Sequence, residues 1–463
     1  MKKNKIVTPW NIDQDLLALI PCDAYKLVHR LMYPTDTLNL YLVYTARGGQ
    51  KAKFDTIAWN MEYVKKVINH IFDNFVEHVI LLSQENQDGI ITKKLLKKIN
   101  IVFGDKQFSH DFVSCLKKLG TAIKDTRKLP LIVKARKTNE WVKYQQALIT
   151  ITGTNNINPE FIWLINYFET IILENIWQFN TSLTTARDYY YLVKKFADKT
   201  TTNSDFINYQ CHDFSMRGMS SLWSALYSAS AHLMYFDGSD TIIGGDNARS
   251  VFASEHSVMC ADGVVKERET FARLIKKFPN GPLSLVCDTW NLWTVLDEIL
   301  PSLKREILKR NGKLVIRPDS GDPIEIVCGK PKFSWKDKST WGVIHYLDHY
   351  FGCKVNKKGY KELHDKLGII YGDAITYERT QAILENLTKQ KYASSNIVFG
   401  VGATTYQSVT RDTLGFVSKA TAICKAVDNK KVWSNLEKNP VTDPKKRSLT
   451  GRFLNDKELV RIY

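Results

Sequence analysis

The nine residues KLVIRPDSG, 313–321, set the apolar run Leu314 to Ile316 directly against an arginine, a proline and an aspartate. A short apolar run closed by turn residues reads as a buried strand, and the charged residues at its end are ones a core does not need. The same figure recurs in FINYQCHDF (206–214), LSLVCD (283–288), GIIYGD (368–373) and NIVFGVGA (396–403). Amphipathic helical patterns separate several of these runs: TFARLIKKF (270–278), LWTVLDEILPSLKREIL (292–308) and ERTQAILENLTKQKY (378–392). Buried strands alternating with helices imply an α/β fold with a parallel sheet, here a β/α barrel. In such a barrel the residues just past the carboxyl ends of the strands line the site.

The rest of the chain has another rhythm. Residues 1 to about 55 read as strand-rich, with TLNLYLVYTAR (37–47) alternating at strand period, while about 58–128 and 139–200 read as mostly helical. With 463 residues, 44% hydrophobic and 24% charged, the chain has the composition of a folded protein. The basic start, Met1 to Lys5, runs into Pro9-Trp10-Asn11 instead of an apolar segment, and no apolar run approaches a membrane span, so a cytoplasmic protein is expected. Eight scattered cysteines, with no CxxC and no zinc spacing, read as free thiols.

A net charge of +17 asks for an anionic partner. Many lysines fall in ITKKLLKKIN (91–100), an amphipathic helix with a solvated lysine face, and in PKFSWKDKSTW (331–341), a surface insertion. No helix-turn-helix, RNP or zinc-finger pattern accompanies them, which argues against nucleic acid and for a phosphorylated small molecule.

The strand ends supply the chemistry such a molecule needs. Asp213, Asp288, Asp319 and Asp373 offer carboxylates to magnesium or sugar hydroxyls, and Arg217, Arg317 and Arg411 offer forks to phosphate. Gly400, Gly402 and Ala403 form a turn whose amides can cradle a phosphate. Of the histidines, His212 reads as a hydrogen-bonded structural residue. His256, between Glu255 and Ser257, reads equally as structural or as a nucleophile whose tautomer a neighbouring acid fixes.

Strings along nearly the whole chain carry a resemblance: DAYKLVHRLMYP (23–34), HDFSMRGMSS (212–221), SAHLMYFDGSDT (230–241), ASEHS (253–257), LVIRPDSGDP (314–323), YGD (371–373), TRD (410–412) and DPKKRSLTGR (443–452). They resemble the nicotinamide phosphoribosyltransferases, type II phosphoribosyltransferases, in a bacterial or phage form. The resemblance implies an irregular β/α barrel over 175–410, a smaller discontinuous α/β sandwich domain of 1–55 and 411–463, and a helical insertion and connection over 56–174. It implies a homodimer in which the pyridine ring stacks between Phe214 and a Tyr25 given by the other protomer. Asp240 then accepts the nicotinamide amide with Ser284 nearby.

By the same resemblance Arg317, Asp319, Gly372 and Asp373 hold ribose and phosphates, with Arg217, Gly402 and Ala403 in the substrate site. Ala403 and Thr404 depart from a glycine-richer phosphate turn, although an alanine amide donates equally well. Arg47, Arg411, Lys419 and Lys446 match basic residues on pyrophosphate or phosphate, some from across the dimer. His256 is the phosphorylated residue and Asp288 its support, ATP is the coupling co-substrate, and Mg2+ rides on pyrophosphate with Asp319 in reach. Neither nucleic acid nor membrane is a partner.

The implied reaction joins the pyridine nitrogen to C1 of phosphoribosyl pyrophosphate, so positioning and charge neutralisation carry the catalysis. The nearest rival is nicotinate phosphoribosyltransferase. Asp240 argues against it, because two like charges at ~4 Å repel by roughly 4 kcal/mol at an effective dielectric of 20. A nucleic-acid-binding protein would leave the strand-end aspartates unexplained, and a degenerate binding homologue would have no use for an intact Arg317, Asp319, Asp373 and His256.

Overall fold

The structure, a computed structural model, describes residues 11–49 and 54–463, without the side chain of Lys445. The basic start and Pro9-Trp10 lie outside the described residues. The chain forms two compact units, one of 1–180 with 411–463 and one of 181–410.

The first unit is built on a six-stranded antiparallel sheet. Its order is Lys430–Asn435, Phe416–Val427, Thr37–Ala46, Ile149–Gly153, Leu131–Arg136 and Leu459–Arg461. Its helices Met61–Gln84, Ile90–Phe103 and Lys106–Ile123 follow the helical reading of 58–128. Asn60 and Asp105 cap two of them with side-chain acceptors, and Gly104, at φ 69°, ends the middle one in the left-handed region. The middle helix buries Ile91, Leu95 and Ile99 on one face and exposes Lys93, Lys97 and Lys98, as its amphipathic pattern requires.

Three readings of this region are corrected. Residues 11–36 hold short helices instead of strands, because Asp13 accepts from the amides of Asp15 and Leu16 and starts Gln14–Leu19. Residues 139–153 are strands Asn139–Lys143 and Ile149–Gly153, where β-branched ITIT packs better on a pleated surface than in a helix. The segment 56–174 therefore supplies two strands of the main sheet as well as helices, and the two units come out nearly equal in length.

The second unit is a curled sheet of seven parallel strands. Its order is Gly238–Ser239, Cys211–Asp213, Ile397–Val401, Leu367–Tyr371, Leu314–Arg317, Leu283–Val286 and Phe252–Ala253. One parallel bridge, Gly238 to Arg249, joins an outer strand to the segment that leads into the other. Apolar strand residues face the helices; Glu267–Lys277, for example, buries Phe271, Leu274 and Ile275, with glutamates in its first turn and lysines in its last.

Two expectations change here as well. Of FINYQCHDF only Cys211–Asp213 is strand, because Asp205–Tyr209 closes into a 3-10 turn whose entry the Asn203 side chain holds through the Asp205 amide. The run 292–308 is not one helix: it passes through a π segment, Val295–Ile299, just before Pro301, which has no amide to donate. The insertion 331–341 is largely exposed, yet it anchors itself by burying Trp341 and by stacking Phe333 on His345 at 3.9 Å. No helix among the described residues is long and apolar enough to cross a membrane.

Candidate active site

Each parallel strand of the second unit ends at one side of the sheet, and a cavity of about 620 Å³ opens there. Phe214, Arg217, Asp240, Arg317, Asp319, Gly372, Asp373, Gly402 and Ala403 all line it, so most of the residues inferred from sequence are brought together. Thr241 and Glu255, which lie within the resembling strings but are given no role in a cavity by them, line it too, as does Ile375, which nothing local in the sequence marks.

Phe214 is seated by two glycines. A Cβ at Gly400 would lie 2.4 Å from its ring and one at Gly372 would lie 3.0 Å away, so the ring occupies space that any other residue would fill. The Arg317 guanidinium stands 5.9 Å from the ring centroid. Gly400 thus belongs to a strand and serves the ring, while Gly402 and Ala403 open the short helix Ala403–Tyr406 at the cavity wall.

Asp240 follows the strand Gly238–Ser239, and about half of its side chain, 47%, is exposed. Its Oδ1 accepts from His212 Nε2 at 2.9 Å and from Ser250 Oγ at 2.6 Å. Oδ2 has no donor among the described residues. Burial opposes ionisation of this carboxyl, but the two hydrogen bonds and the nearby positive charge prevail and lower its pKa below the ordinary value.

The His256 ring is half exposed, with Nδ1 3.3 Å from Thr289 Oγ1 and Nε2 3.7 Å from Asp319 Oδ2. Asp288, expected beside that imidazole, binds elsewhere: its Oδ2 accepts from the Asp319 amide at 3.0 Å and from Ser320 Oγ at 2.5 Å. Asp288 therefore braces the PDSG turn that carries Asp319, and Thr289 and Asp319 are the groups nearest the ring. Asp213, counted from sequence among the strand-end carboxylates, is fully buried and holds the Ser215 amide and the Ser239 hydroxyl, so it shapes the turn and does not reach the cavity.

Several buried polar atoms near these strand ends lack a partner among the described residues: Thr241 Oγ1, Ser284 Oγ, Asp288 Oδ1 and Arg317 Nε. Buried polar groups are ordinarily paired, so the two of these on residues that line the cavity, Thr241 Oγ1 and Arg317 Nε, suit a polar ligand. No group of three or more metal-ligating side chains occurs among the described residues.

The first unit holds a second cluster of expected residues. Arg47, Lys419 and Lys446 line one cavity of about 540 Å³ with Gln145, Arg447 and Ser448. Strand pairing brings the first two together, since Val43 lies opposite Lys419 and Ala46 opposite Phe416. Burial lowers the Lys419 pKa, Glu169 opposes that, and Lys438 and Arg47 add to it, so an anion bound here would relieve the crowding of positive charge. Arg411 does not line this cavity; its guanidinium donates to the Phe416 carbonyl and pairs with Asp412. Tyr25 is 55% exposed, with its hydroxyl donating to Asp23 at 3.2 Å.

Residues 209–462 match the model of the nicotinate phosphoribosyltransferase (NAPRTase) family. The chain is 52% identical to a nicotinamide phosphoribosyltransferase of Mycoplasma pneumoniae, across 99% of this chain and all of that one. It is 48% identical to one of Mycoplasma genitalium, across 98% of both, and 36% identical to one of Acinetobacter baylyi, across 91% and 84%. Among solved structures it is similar in fold to a nicotinate-nucleotide pyrophosphorylase from Pyrococcus furiosus, with TM-score 0.52, 14% identity and coverage of 98% and 82%. It is likewise similar to human nicotinic acid phosphoribosyltransferase, with TM-score 0.50, 13% identity and coverage of 87% and 74%.

Proposed function

The chain belongs to the nicotinate phosphoribosyltransferase family, and from that premise we propose that it is a pentosyltransferase that moves phosphoribosyl from 5-phosphoribosyl 1-pyrophosphate to nicotinamide. The products are nicotinamide mononucleotide and pyrophosphate, a step of NAD salvage. The observation that carries the choice of amide over acid is Asp240, an ionised carboxylate at the wall of the cavity that holds Phe214 and Arg317. The substrate amide donates to Oδ2, whereas nicotinate would set a second negative charge there, at a cost of roughly 4 kcal/mol at ~4 Å. The relatives named for nicotinamide support the same choice over the acid in the family's title.

The pyridine lies on Phe214 with its nitrogen toward C1 of the sugar. That nitrogen's lone pair forms the new bond as the C1–oxygen bond breaks and pyrophosphate leaves with the electron pair. The ring nitrogen carries no proton, so no side-chain base is required. Arg217, Arg317 and the amides at Gly402 to Thr404 neutralise phosphate charge, and Asp319 and Asp373 meet the ribose. The donor set fits magnesium arriving with pyrophosphate: Asp288 Oδ1 is buried and unpartnered beside Asp319, and hard oxygens suit that ion. Bound there, the ion would lower the charge on the leaving group.

Coupling to ATP is part of the proposal. His256 takes the γ-phosphoryl group, ADP departs, and later attack of water on the phosphohistidine returns the imidazole and phosphate. The enzyme works as a cytoplasmic homodimer in which Tyr25 and the Arg47–Lys419–Lys446 cavity of one protomer complete the barrel site of its partner. The exposure of Tyr25, an aromatic ring with more than half its surface open, is consistent with its donation to a partner.

The test is product formation by the purified protein with phosphoribosyl pyrophosphate and magnesium, nicotinamide and nicotinate side by side, with and without ATP. Mononucleotide from nicotinamide alone is expected, and product from nicotinate in preference overturns the assignment. Full coupling of ATP hydrolysis to product formation in His256→Ala would remove the phosphohistidine.

A further inference from the structure

His212 touches both halves of the proposed nicotinamide clamp. Its Nε2 lies 2.9 Å from Asp240 Oδ1, and its ring packs on Phe214 with centroids 5.0 Å apart at 51°. The ring is itself held: His212 is 8% exposed, and it lies over Gly238, where a Cβ would come within 2.8 Å of Nδ1. An ionised carboxylate has no proton to give, so Nε2 carries the hydrogen and donates. Ser250 Oγ donates to the same oxygen at 2.6 Å from the exposed side. Neither donor lines the cavity, whereas Asp240 does, so both hold the carboxylate without themselves facing the ligand space. With two donors on Oδ1, the rotamer is pinned and Oδ2 is the oxygen left for a ligand.

We infer that His212, with Ser250, is a specificity-determining positioning residue: it fixes which oxygen of Asp240 meets the substrate and at what distance from the Phe214 ring. The inference rests on the reading that nicotinamide binds in this cavity with its amide at Asp240. Without the His212 donor only Ser250 holds Oδ1, so Asp240 is less firmly oriented and more readily protonated, and a neutral or displaced carboxyl no longer repels nicotinate. The hydrogen bond also lowers the Asp240 pKa, against the effect of burial, which agrees with this role.

The experiment is steady-state kinetics of the full chain with nicotinamide and with nicotinate, for the wild type and for His212→Ala, His212→Gln, Ser250→Ala and Asp240→Asn. The quantity read is the ratio of kcat/KM for the two substrates. His212→Ala is expected to lower that ratio about tenfold, chiefly through KM for nicotinamide, the scale of one charge-assisted hydrogen bond. His212→Gln, whose amide can donate in place of Nε2, recovers most of the loss. Ser250→Ala lowers the ratio about threefold, and because that side chain is exposed it decides the matter if His212→Ala fails to fold.

A purely structural His212 would lower both substrates together and leave the ratio alone. An unchanged ratio in Ser250→Ala and in the folded His212 variants, while Asp240→Asn alters it, overturns the inference and leaves the reading of the site intact. An unchanged ratio in Asp240→Asn overturns that reading, and the inference with it.

Discussion

Gly400→Ala makes the sharpest test of how the ring platform is built. A Cβ there would stand 2.4 and 2.5 Å from Phe214 Cδ2 and Cε2 and 2.7 Å from the Gly372 Cα, just past the end of the neighbouring strand. Ordinary contact between carbons begins near 3.5 Å, so the ring must retreat by about 1 Å. The Gly372 backbone directly follows Tyr371, the last residue paired with Ile397–Val401, which limits how far it can retreat with the ring. Overpacking of this kind costs about 1–3 kcal/mol, which for a unit of this size is a fall of about 2–12 °C in Tm. Displacement of Phe214 also removes the stacking partner, worth about 0.5–1.5 kcal/mol, so KM for nicotinamide should rise about two- to tenfold.

Gly372→Ala provides the internal scale. Its Cβ would lie 3.0 Å from the same ring atoms, a smaller intrusion, and its effects on Tm and KM should be the weaker of the two. Thermal unfolding followed by circular dichroism and initial rates at varied nicotinamide read both quantities. Wild-type Tm and KM in Gly400→Ala, or a larger effect from Gly372→Ala, would refute the reasoning.

Asp240→Asn should cut the discrimination against nicotinate by up to about a thousandfold, the ceiling set by the roughly 4 kcal/mol repulsion; competition assays with the two substrates read it directly. Because the folded pKa of Asp240 is depressed, the carboxylate stays charged well into acid. The preference for nicotinamide, and this group's contribution to stability, should therefore hold from about pH 8 to about pH 5 and fade only below about pH 4, and a midpoint near neutrality would contradict the charge argument. Arg136, 8% exposed, donates to Asp456 at 2.6 Å and to the Ala147 carbonyl at 2.8 Å, so Arg136→Ala should cost about 3 kcal/mol in denaturant unfolding by stranding a buried acceptor and loosening the C-terminal strand. Cys260 is the exposed cysteine, whereas burial pushes the Cys287 thiol up to about 12. A native thiol titration at pH 8 should then show one fast-reacting group, against eight after denaturation.

The succession of short apolar runs, each closed by an arginine, aspartate or glycine, was enough to read a parallel α/β sheet and to place a site at its strand ends. Those signals are local: a strand's burial and a helix's stripe are written in neighbouring residues. Phe214, Asp240, Arg317, Asp319 and Asp373 were legible because each stands where a run stops or within a quoted motif. The strands at 139–153 were legible in principle from ITIT, but the polar residues before them obscured the period. What only the tertiary structure decided is which distant residues meet. Phe214 rests on Gly372 and Gly400, His212 donates to Asp240 across the pairing with Gly238, and Asp319, not Asp288, comes nearest His256. Arg47 and Lys419 share a wall because two antiparallel strands far apart in the chain take one register. Periodicity specifies that a strand is buried and which way its side chains alternate; the partner and register it takes are set by packing of the whole core, and those contacts orient the charges of the site.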